Sequence, residues 1–170
     1  QTPTLPIFND LDGVIKRAKE NGVVAIHTSG VNHASNLKAL ELSKKYPDIV
    51  KASLGIYPLD ALSVELEGES QIPRDLKPVD VDEEIKFIIK NKKDCVSIGE
   101  VGLDYAIVKD KNKIQQENFK KLIELAEKIN KPLVVHSRKA EADALEILES
   151  YKIKKVIMHC FTANMKLVKK

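Results

Sequence analysis

The sequence has 170 residues, 43% of them hydrophobic and 31% charged, which excludes a disordered or fibrous chain and allows one domain with a sizeable core. A net charge of +3 is too mild to indicate a nucleic-acid-binding protein by charge alone. No apolar run approaches the ~20 residues that a membrane helix needs, and residues 1–10 lack the pattern of a secretory signal. Because Cys95 and Cys160 are the only cysteines, we expect a protein of the reducing cytoplasm.

Helical periodicity and short apolar runs alternate along the chain. The predicted elements are, in chain order, a helix over 11–18, a strand over 23–29, a helix over 33–46 ended by Pro47, a strand over 49–56, a helix opened by Asp80 with Glu83 as its capping partner, a strand over 95–98, a long amphipathic helix including 119–129, a strand over 133–136, a helix carrying Leu145 and Leu148, and a strand over 155–160. Five nearly all-apolar strands, each preceded by a helix, predict a parallel sheet with right-handed crossovers and helix-covered faces.

Two α/β architectures fit this alternation, an open doubly wound sheet and a closed (β/α) barrel. A doubly wound nucleotide-binding sheet calls for a glycine-rich phosphate turn after a strand, and neither Gly30 nor Gly55 begins one. The turn Gly99-Glu100-Val101-Gly102 carries an acidic residue, which suits a cation and repels a pyrophosphate. We therefore predict the barrel. The irregular connection 58–79 follows a strand, so we expect it to lie over the mouth of the barrel and to shape substrate access.

Three successive predicted strands end near a potential metal ligand. Glu100 follows the strand 95–98, His136 ends the next strand, and His159 lies at the end of the one after it. Because the carboxyl ends of parallel barrel strands meet at one mouth, these side chains are expected to lie close together. Carboxylate and imidazole are ligands that hold zinc or manganese while leaving a position open for water. For His27 and His33 we predict structural roles.

The residues around these positions carry a family resemblance. IGEVGLDY (98–105), Gln116 with Phe119 and Leu125-Ala126 on one helix, PLVVHSRKA (132–140) and MHCFT (158–162) resemble the TatD-type deoxyribonucleases of the metal-dependent hydrolase superfamily. ENGVVAIHTSGVN (20–32) and GIYP (55–58) extend the resemblance over nearly the whole chain. HCF or GLD alone would be a weak signal, but the motifs are specific in combination.

The resemblance implies a TIM-like (β/α) barrel whose site hydrolyses phosphodiesters such as DNA with two divalent ions, Zn, Mg or Mn. Glu100 is similar to the carboxylate that both metals share, and His136 and His159 to ligands of one metal. Arg138 resembles a residue near the substrate phosphate, and Asp104 one that organises the site. Two divalent ions can lower the pKa of a bound water and neutralise charge on the transferring group, and an arginine can hold a non-bridging oxygen.

Some features of the family are not found among residues 1–170. Family members have an H-x-H pair after a first strand and a metal-binding Asp after a later one, so we expect this sequence to hold strands two to six of eight, as a single barrel domain incomplete at both ends. We expect residues 1–170 alone to be inactive and unstable. The family also commonly has histidines where Tyr57 and Leu59 stand, which bears on the substrate rather than on the metal site.

Two other functions remain open from the sequence. The same barrel supports hydrolases of amides, lactones and phosphotriesters, because a fold does not fix a function. A lysine ligand at a strand end would favour that class, and we identify none in this sequence. The other alternative is a non-catalytic, metal-binding remnant.

Overall fold

The computed structural model describes residues 10–63, 79–108 and 110–163. Its helices and strands alternate along the chain as α1 (Leu11–Glu20), β1 (Ile26–Ser29), α2 (His33–Lys45), β2 (Val50–Leu54), α3 (Val81–Lys90), β3 (Ser97–Asp104), α4 (Asn112–Ile129), β4 (Leu133–Arg138), α5 (Glu141–Glu149) and β5 (Val156–Met158). A short 3-10 helix, Asp60–Leu62, follows β2. The predicted order of elements is confirmed.

The five strands form one parallel sheet in which strand order follows chain order, β1-β2-β3-β4-β5. In a doubly wound sheet the strand order reverses at the point where the ligand binds. Here each new strand is added on the same side of the one before, as in a (β/α) barrel. The strand order therefore decides between the two predicted architectures in favour of the barrel type.

Side-chain caps fix where several helices begin. The carboxylate of Asp10 accepts a hydrogen bond from the Gly13 backbone N–H at 3.0 Å at the start of α1. Asp80, as predicted, opens α3, because its Oδ1 accepts from the N–H groups of Asp82 and Glu83. The Glu83 side chain, expected to bond back to this cap, instead pairs with Lys86 at 2.6 Å. Each cap satisfies N–H groups that have no partner within the helix.

The main core lies between the sheet and helices α2 to α5. The apolar face of α4 provides Phe119, Leu122, Ile123 and Ala126, none of them more than 1% exposed. This face covers β3, whose Ile98, Val101 and Leu103 are likewise buried. Burying one large aliphatic side chain stabilises a fold by ~1.5–3 kcal/mol, so this contact anchors β3 firmly.

Several strand boundaries differ from those predicted. β1 begins at Ile26 rather than at residue 23, because its first hydrogen bond to the neighbouring segment runs from the Ile26 N–H to the Ile49 carbonyl (2.8 Å). Val24, which precedes this bond, is 88% exposed. β3 continues to Asp104 instead of ending at residue 98. Glu100, predicted just past this strand, therefore lies within it, and Asp104 is its last residue. β4 likewise runs past His136 to Arg138.

Residue 109 lies outside the described residues, and so does most of the connection 58–79, which is predicted to cover the mouth of the barrel. The two described ends of this connection are joined, because the Val79 N–H donates to Ser63 Oγ at 2.7 Å. In the parts of the chain that the structure describes, none of the helices has the length and apolar character needed to cross a membrane.

Candidate active site

The carboxyl ends of β3, β4 and β5 lie side by side. Across β3 and β4, Gly102 pairs with His136 and Asp104 pairs with Arg138. Across β4 and β5, Val135 pairs with Met158, and the next residue, His159, donates its backbone N–H to the Val135 carbonyl at 2.8 Å. The register thus brings the ends of all three predicted site strands to one edge of the sheet.

His136 lies at the centre of a polar cluster with a carboxylate on each side of its ring. Its Nδ1 is 2.9 Å from Glu100 Oε1, and its Nε2 is 3.2 Å from Asp104 Oδ2. The Glu100 and His136 side chains are 19% and 16% exposed, whereas that of Asp104 is fully buried. Nδ1 therefore faces the accessible side of the cluster, and Nε2 faces its interior.

Asp104 is held by both its side chain and its backbone. Its Oδ2 accepts from the Tyr57 hydroxyl at 2.6 Å and its Oδ1 from the Ala106 N–H at 2.9 Å. The amide of Gln115, on α4, accepts from the Asp104 N–H at 2.8 Å and donates to the Asp104 carbonyl at 2.9 Å. Gln115 is itself buried, so helix α4 holds the end of β3 in place at Asp104.

The contacts make Asp104 and His136 a charged pair. Burial disfavours the ionised Asp104, but hydrogen bonds from His136, Tyr57 and Ala106 outweigh it and lower the pKa to about 2. Burial likewise disfavours the imidazolium of His136, but hydrogen bonds to Asp104 and Glu100 outweigh it and raise the pKa to about 9. The contacts therefore favour a positively charged imidazolium on His136, between the carboxylates of Asp104 and Glu100.

The donor types suit a divalent cation, since carboxylate oxygen and imidazole nitrogen are common ligands of zinc and manganese. Their arrangement, however, does not bring the donor atoms to one point. Glu100 and Asp104 contact different nitrogens of one imidazole, which point away from each other. Within residues 10–63, 79–108 and 110–163, no three His, Cys, Asp or Glu side chains converge as a metal-binding group. Glu100 and His136 would have to give up their mutual hydrogen bond to hold a cation.

Two predicted site residues lie at this edge without joining the cluster. Arg138 ends β4 with an exposed side chain that forms no ion pair or side-chain hydrogen bond with any described residue. The exposed ring of His159 contacts the neighbouring Cys160, with Nε2 3.3 Å from Sγ. Their predicted contacts, with a substrate phosphate for Arg138 and a metal for His159, remain predictions.

Two members of the cluster, Tyr57 and Gln115, are not among the site residues that the sequence predicts. The resemblance relates Tyr57 to the substrate, yet its hydroxyl reaches both Asp104 and, at 3.2 Å, His136 Nε2. The motifs single out the neighbouring Gln116, which bonds to Tyr105 and Asp143 instead. A polar residue on the otherwise apolar face of α4 was the available signal for Gln115. Leu59 is buried beside Leu62 and Val108.

The other two histidines make contacts within the fold. His27, on β1, has its Nε2 2.7 Å from the Ser97 hydroxyl oxygen, and Ser97 in turn donates to Ser53 at 2.8 Å. His33 begins α2, and its Nδ1 lies 2.7 Å from the buried carboxylate of Glu84. These contacts agree with the structural roles predicted for both.

The fold and the carboxylate–imidazole cluster define the chain as an α/β protein of the barrel type with an acidic, histidine-containing site at the carboxyl ends of its strands. Residues 4–170 match the family model of the TatD related DNases, and the chain belongs to this family. The resemblance predicted from the motifs is confirmed.

Similar proteins agree with this assignment. A protein of Methanocaldococcus jannaschii named as an uncharacterized metal-dependent hydrolase is 37% identical over 160 residues, which are 93% of this chain and 55% of that protein. Human deoxyribonuclease TATDN3 is 34% identical over 157 residues, covering 89% of this chain and 55% of the relative. The chain thus spans little more than half the length of these relatives.

Solved structures of the family share the fold. The TatD homologue YJJV from Escherichia coli K12 matches with a TM-score of 0.78 at 20% identity, over 98% of this chain and 60% of that one. A TatD family hydrolase from Entamoeba histolytica matches with a TM-score of 0.73 at 26% identity, over 94% of this chain and 52% of the other. The predicted α/β barrel fold is confirmed.

Proposed function

We propose that the protein hydrolyses phosphodiester bonds of DNA with the help of divalent metal ions bound at the carboxyl ends of β3, β4 and β5. The observation that carries the proposal is the position of Glu100 and His136, 2.9 Å apart at this edge of the sheet and partly exposed. Membership of the TatD related DNase family and the names of the relatives, metal-dependent hydrolase and deoxyribonuclease, support it.

Glu100, His136 and His159 are the residues we assign to the metal ions, two in number, with Glu100 shared between them. Bound there, Zn²⁺, Mg²⁺ or Mn²⁺ would lower the pKa of a coordinated water and neutralise negative charge on the phosphate. The buried carboxylate of Asp104 orients His136 through Nε2, as carboxylates behind metal-bound histidines commonly do. Its role is to keep the imidazole in one orientation.

Arg138 is the residue we assign to the substrate. Its guanidinium lies exposed at the same edge of the sheet and has no partner among the described residues, so no internal ion pair has to be broken. A guanidinium can donate two parallel hydrogen bonds to the non-bridging oxygens of a phosphodiester. This would hold the phosphate next to the residues assigned to the metal ions.

The test uses the complete natural protein and a labelled single-stranded DNA. We expect cleavage that stops with a chelator and returns when Mn²⁺, Mg²⁺ or Zn²⁺ is added. Glu100→Gln should abolish it, while Glu117→Gln, the same change on the exposed face of α4, should have no effect. Metal-dependent hydrolysis of an amide, lactone or phosphotriester without DNA cleavage would favour the rival hydrolase class. Metal binding without hydrolysis of any of these substrates would indicate a non-catalytic protein.

A further inference from the structure

Tyr57 joins the end of β2 to the two strands that carry the cluster. It lies three residues after Leu54, the last residue of β2, and its hydroxyl reaches Asp104 Oδ2 at 2.6 Å and His136 Nε2 at 3.2 Å. Its ring also packs edge-on against the imidazole, with 4.8 Å between centroids and 60° between planes. The hydroxyl, the carboxylate and Nε2 thus form a closed triangle.

The donors and acceptors in this triangle can be assigned from chemistry. An ionised carboxylate only accepts hydrogen bonds, so Asp104 must receive one from the Tyr57 hydroxyl. A hydroxyl has a single hydrogen, and once it is used on Asp104 the Tyr57 oxygen can only accept from His136. Both neighbours of Nε2 are therefore acceptors, and Nε2 must carry a hydrogen. The ring nitrogen on the other side, Nδ1, faces Glu100.

We infer that Tyr57 is a positioning residue: by donating to Asp104 and accepting from His136, its hydroxyl fixes the imidazole with Nε2–H turned inward and Nδ1 turned toward Glu100. Without the hydroxyl, Asp104 would still be available to His136, but Oδ2 would lose its shortest hydrogen bond. His136 Nε2 would lose the Tyr57 oxygen as an acceptor, and a second orientation of the imidazole ring would become accessible.

This inference deepens the proposed function, because it names the nitrogen of His136 that serves as a metal ligand. Nδ1 lies on the side of the partly exposed Glu100, whereas Nε2 is committed to the buried Asp104 and to Tyr57. A histidine whose second nitrogen donates to a carboxylate presents its first nitrogen to a metal in a fixed direction. Tyr57 would therefore contribute to cation affinity without touching the cation.

The experiment compares Tyr57→Phe with Tyr46→Phe in the complete natural protein. Both changes remove one hydroxyl that donates to an aspartate at 2.6 Å, but the bond from Tyr46, the residue after α2, to Asp12 on α1 lies away from the cluster. The first readout is the orientation of the His136 ring, which is observed in crystals grown without metal ions and is also reported by the side-chain ¹⁵N resonances. The second is the Co²⁺ dissociation constant from calorimetry, with Glu100→Gln as the reference for a damaged metal site.

We expect Tyr57→Phe to give two ring orientations of His136 and to weaken Co²⁺ binding about tenfold, the usual effect of losing a partner behind a metal-bound histidine. Tyr46→Phe should change neither. If the His136 ring keeps one orientation in Tyr57→Phe, the inference is wrong. It is also wrong if Tyr57→Phe leaves the Co²⁺ affinity unchanged while Glu100→Gln weakens it. If the wild-type protein binds no Co²⁺ through Glu100, the proposed metal chemistry fails, and the ring orientation alone still decides the role of Tyr57.

Discussion

Gly102 and His136 are paired across β3 and β4 so closely that a Cβ added to Gly102 would lie 2.0 Å from the His136 carbonyl oxygen. The backbone φ of Gly102 is +138°, a conformation that residues with side chains rarely adopt. The absence of a side chain at Gly102 therefore lets β4 approach β3 at the level of the cluster. Gly102, the glycine of the GLD motif, thus determines how closely His136 on β4 approaches β3.

We accordingly expect Gly102→Ala to lower the free energy of unfolding by roughly 3 kcal/mol, since it combines backbone strain with an overlap that only a shift of β4 can relieve. Gly22→Ala is the matched control. Gly22 also has a positive φ, +77°, but no atom lies within 4 Å of the added Cβ, so only the backbone strain of about 1 kcal/mol applies. Urea unfolding of the two variants measures the difference, and equal losses would contradict the role assigned to the close approach.

The strand order and the edge that carries the site could be predicted from the sequence, but the exact ends of the strands could not. Val24 is as good a strand residue as Ile26, yet β1 begins only where β2 offers a partner, at Val50. The sequence predicts that the strand ends at residue 98, before the segment Gly99-Glu100-Val101-Gly102, and glycines usually weaken a strand. Pairing of Val101 with Val135 beyond a register shift carries β3 past residue 98. Both outcomes depend on a neighbouring strand, which local sequence does not reveal.

The members of the cluster were predictable to different degrees. Glu100 and His136 follow apolar runs, and the positions of those runs are enough to bring them together. Tyr57 and Gln115 act on Asp104 from a loop and from a helix, and their contacts depend on the angle at which each element crosses the end of β3. Motif spacing fixes which strand a residue follows but not this angle, so their roles became apparent only from the three-dimensional arrangement.

Replacement of Glu100 should damage hydrolysis more than replacement of Arg138. Glu100→Gln keeps the shape of the side chain but removes the negative charge that would hold two cations together. Arg138→Ala removes one contact to the substrate and leaves the metal ligands in place. We expect no detectable turnover for Glu100→Gln and a loss of about 10²-fold for Arg138→Ala, a size typical of one charge-stabilising group.

Single-turnover kinetics with saturating Mn²⁺ on a DNA oligonucleotide would measure both effects. Arg138→Lys is informative as well, because lysine keeps the charge but lacks the planar fork that binds two phosphate oxygens. Activity near wild type in Glu100→Gln, or a larger loss in Arg138→Ala, would count against Glu100 as the carboxylate shared by the metal ions.

The Cys95 thiol should be protected at mildly alkaline pH. Burial raises its pKa, because the thiolate would be poorly solvated in the core. At pH 8 a thiol reagent should therefore modify Cys95 at least tenfold more slowly in the native protein than in urea. Comparable rates in the native and unfolded protein would contradict the assigned environment.

The raised pKa also predicts how stability depends on pH. A group whose pKa is higher in the folded state contributes stability below its unfolded pKa, ~8.5 for a thiol, and loses that contribution as the pH rises through the folded pKa. The unfolding free energy of the wild-type protein should therefore fall more steeply above about pH 8.5 than that of Cys95→Ala. Parallel pH profiles of the two proteins, measured by urea unfolding, would indicate that the thiol does not titrate differently on folding.

The buried amide of Gln115 joins α4 to the backbone of Asp104. Gln115→Leu has a similar volume and keeps the core filled, but it leaves the Asp104 N–H and carbonyl without the partners they have at 2.8 and 2.9 Å. An unsatisfied buried polar group costs about 1–3 kcal/mol, so we expect the unfolding free energy to fall by roughly 3 kcal/mol.

Gln116→Leu is the control for this change, since it removes an amide from the next position of the same helix. Its partners, the Tyr105 hydroxyl and the Asp143 carboxylate, remain bonded to each other at 3.0 Å, so its loss should stay below about 1 kcal/mol. Because Asp104 orients His136, Gln115→Leu should also weaken Co²⁺ binding, whereas Gln116→Leu should not. Equal effects of the two substitutions on stability and on Co²⁺ affinity would mean that α4 supports β3 only through its apolar face and that the Gln115 amide does not place the carboxylate of Asp104.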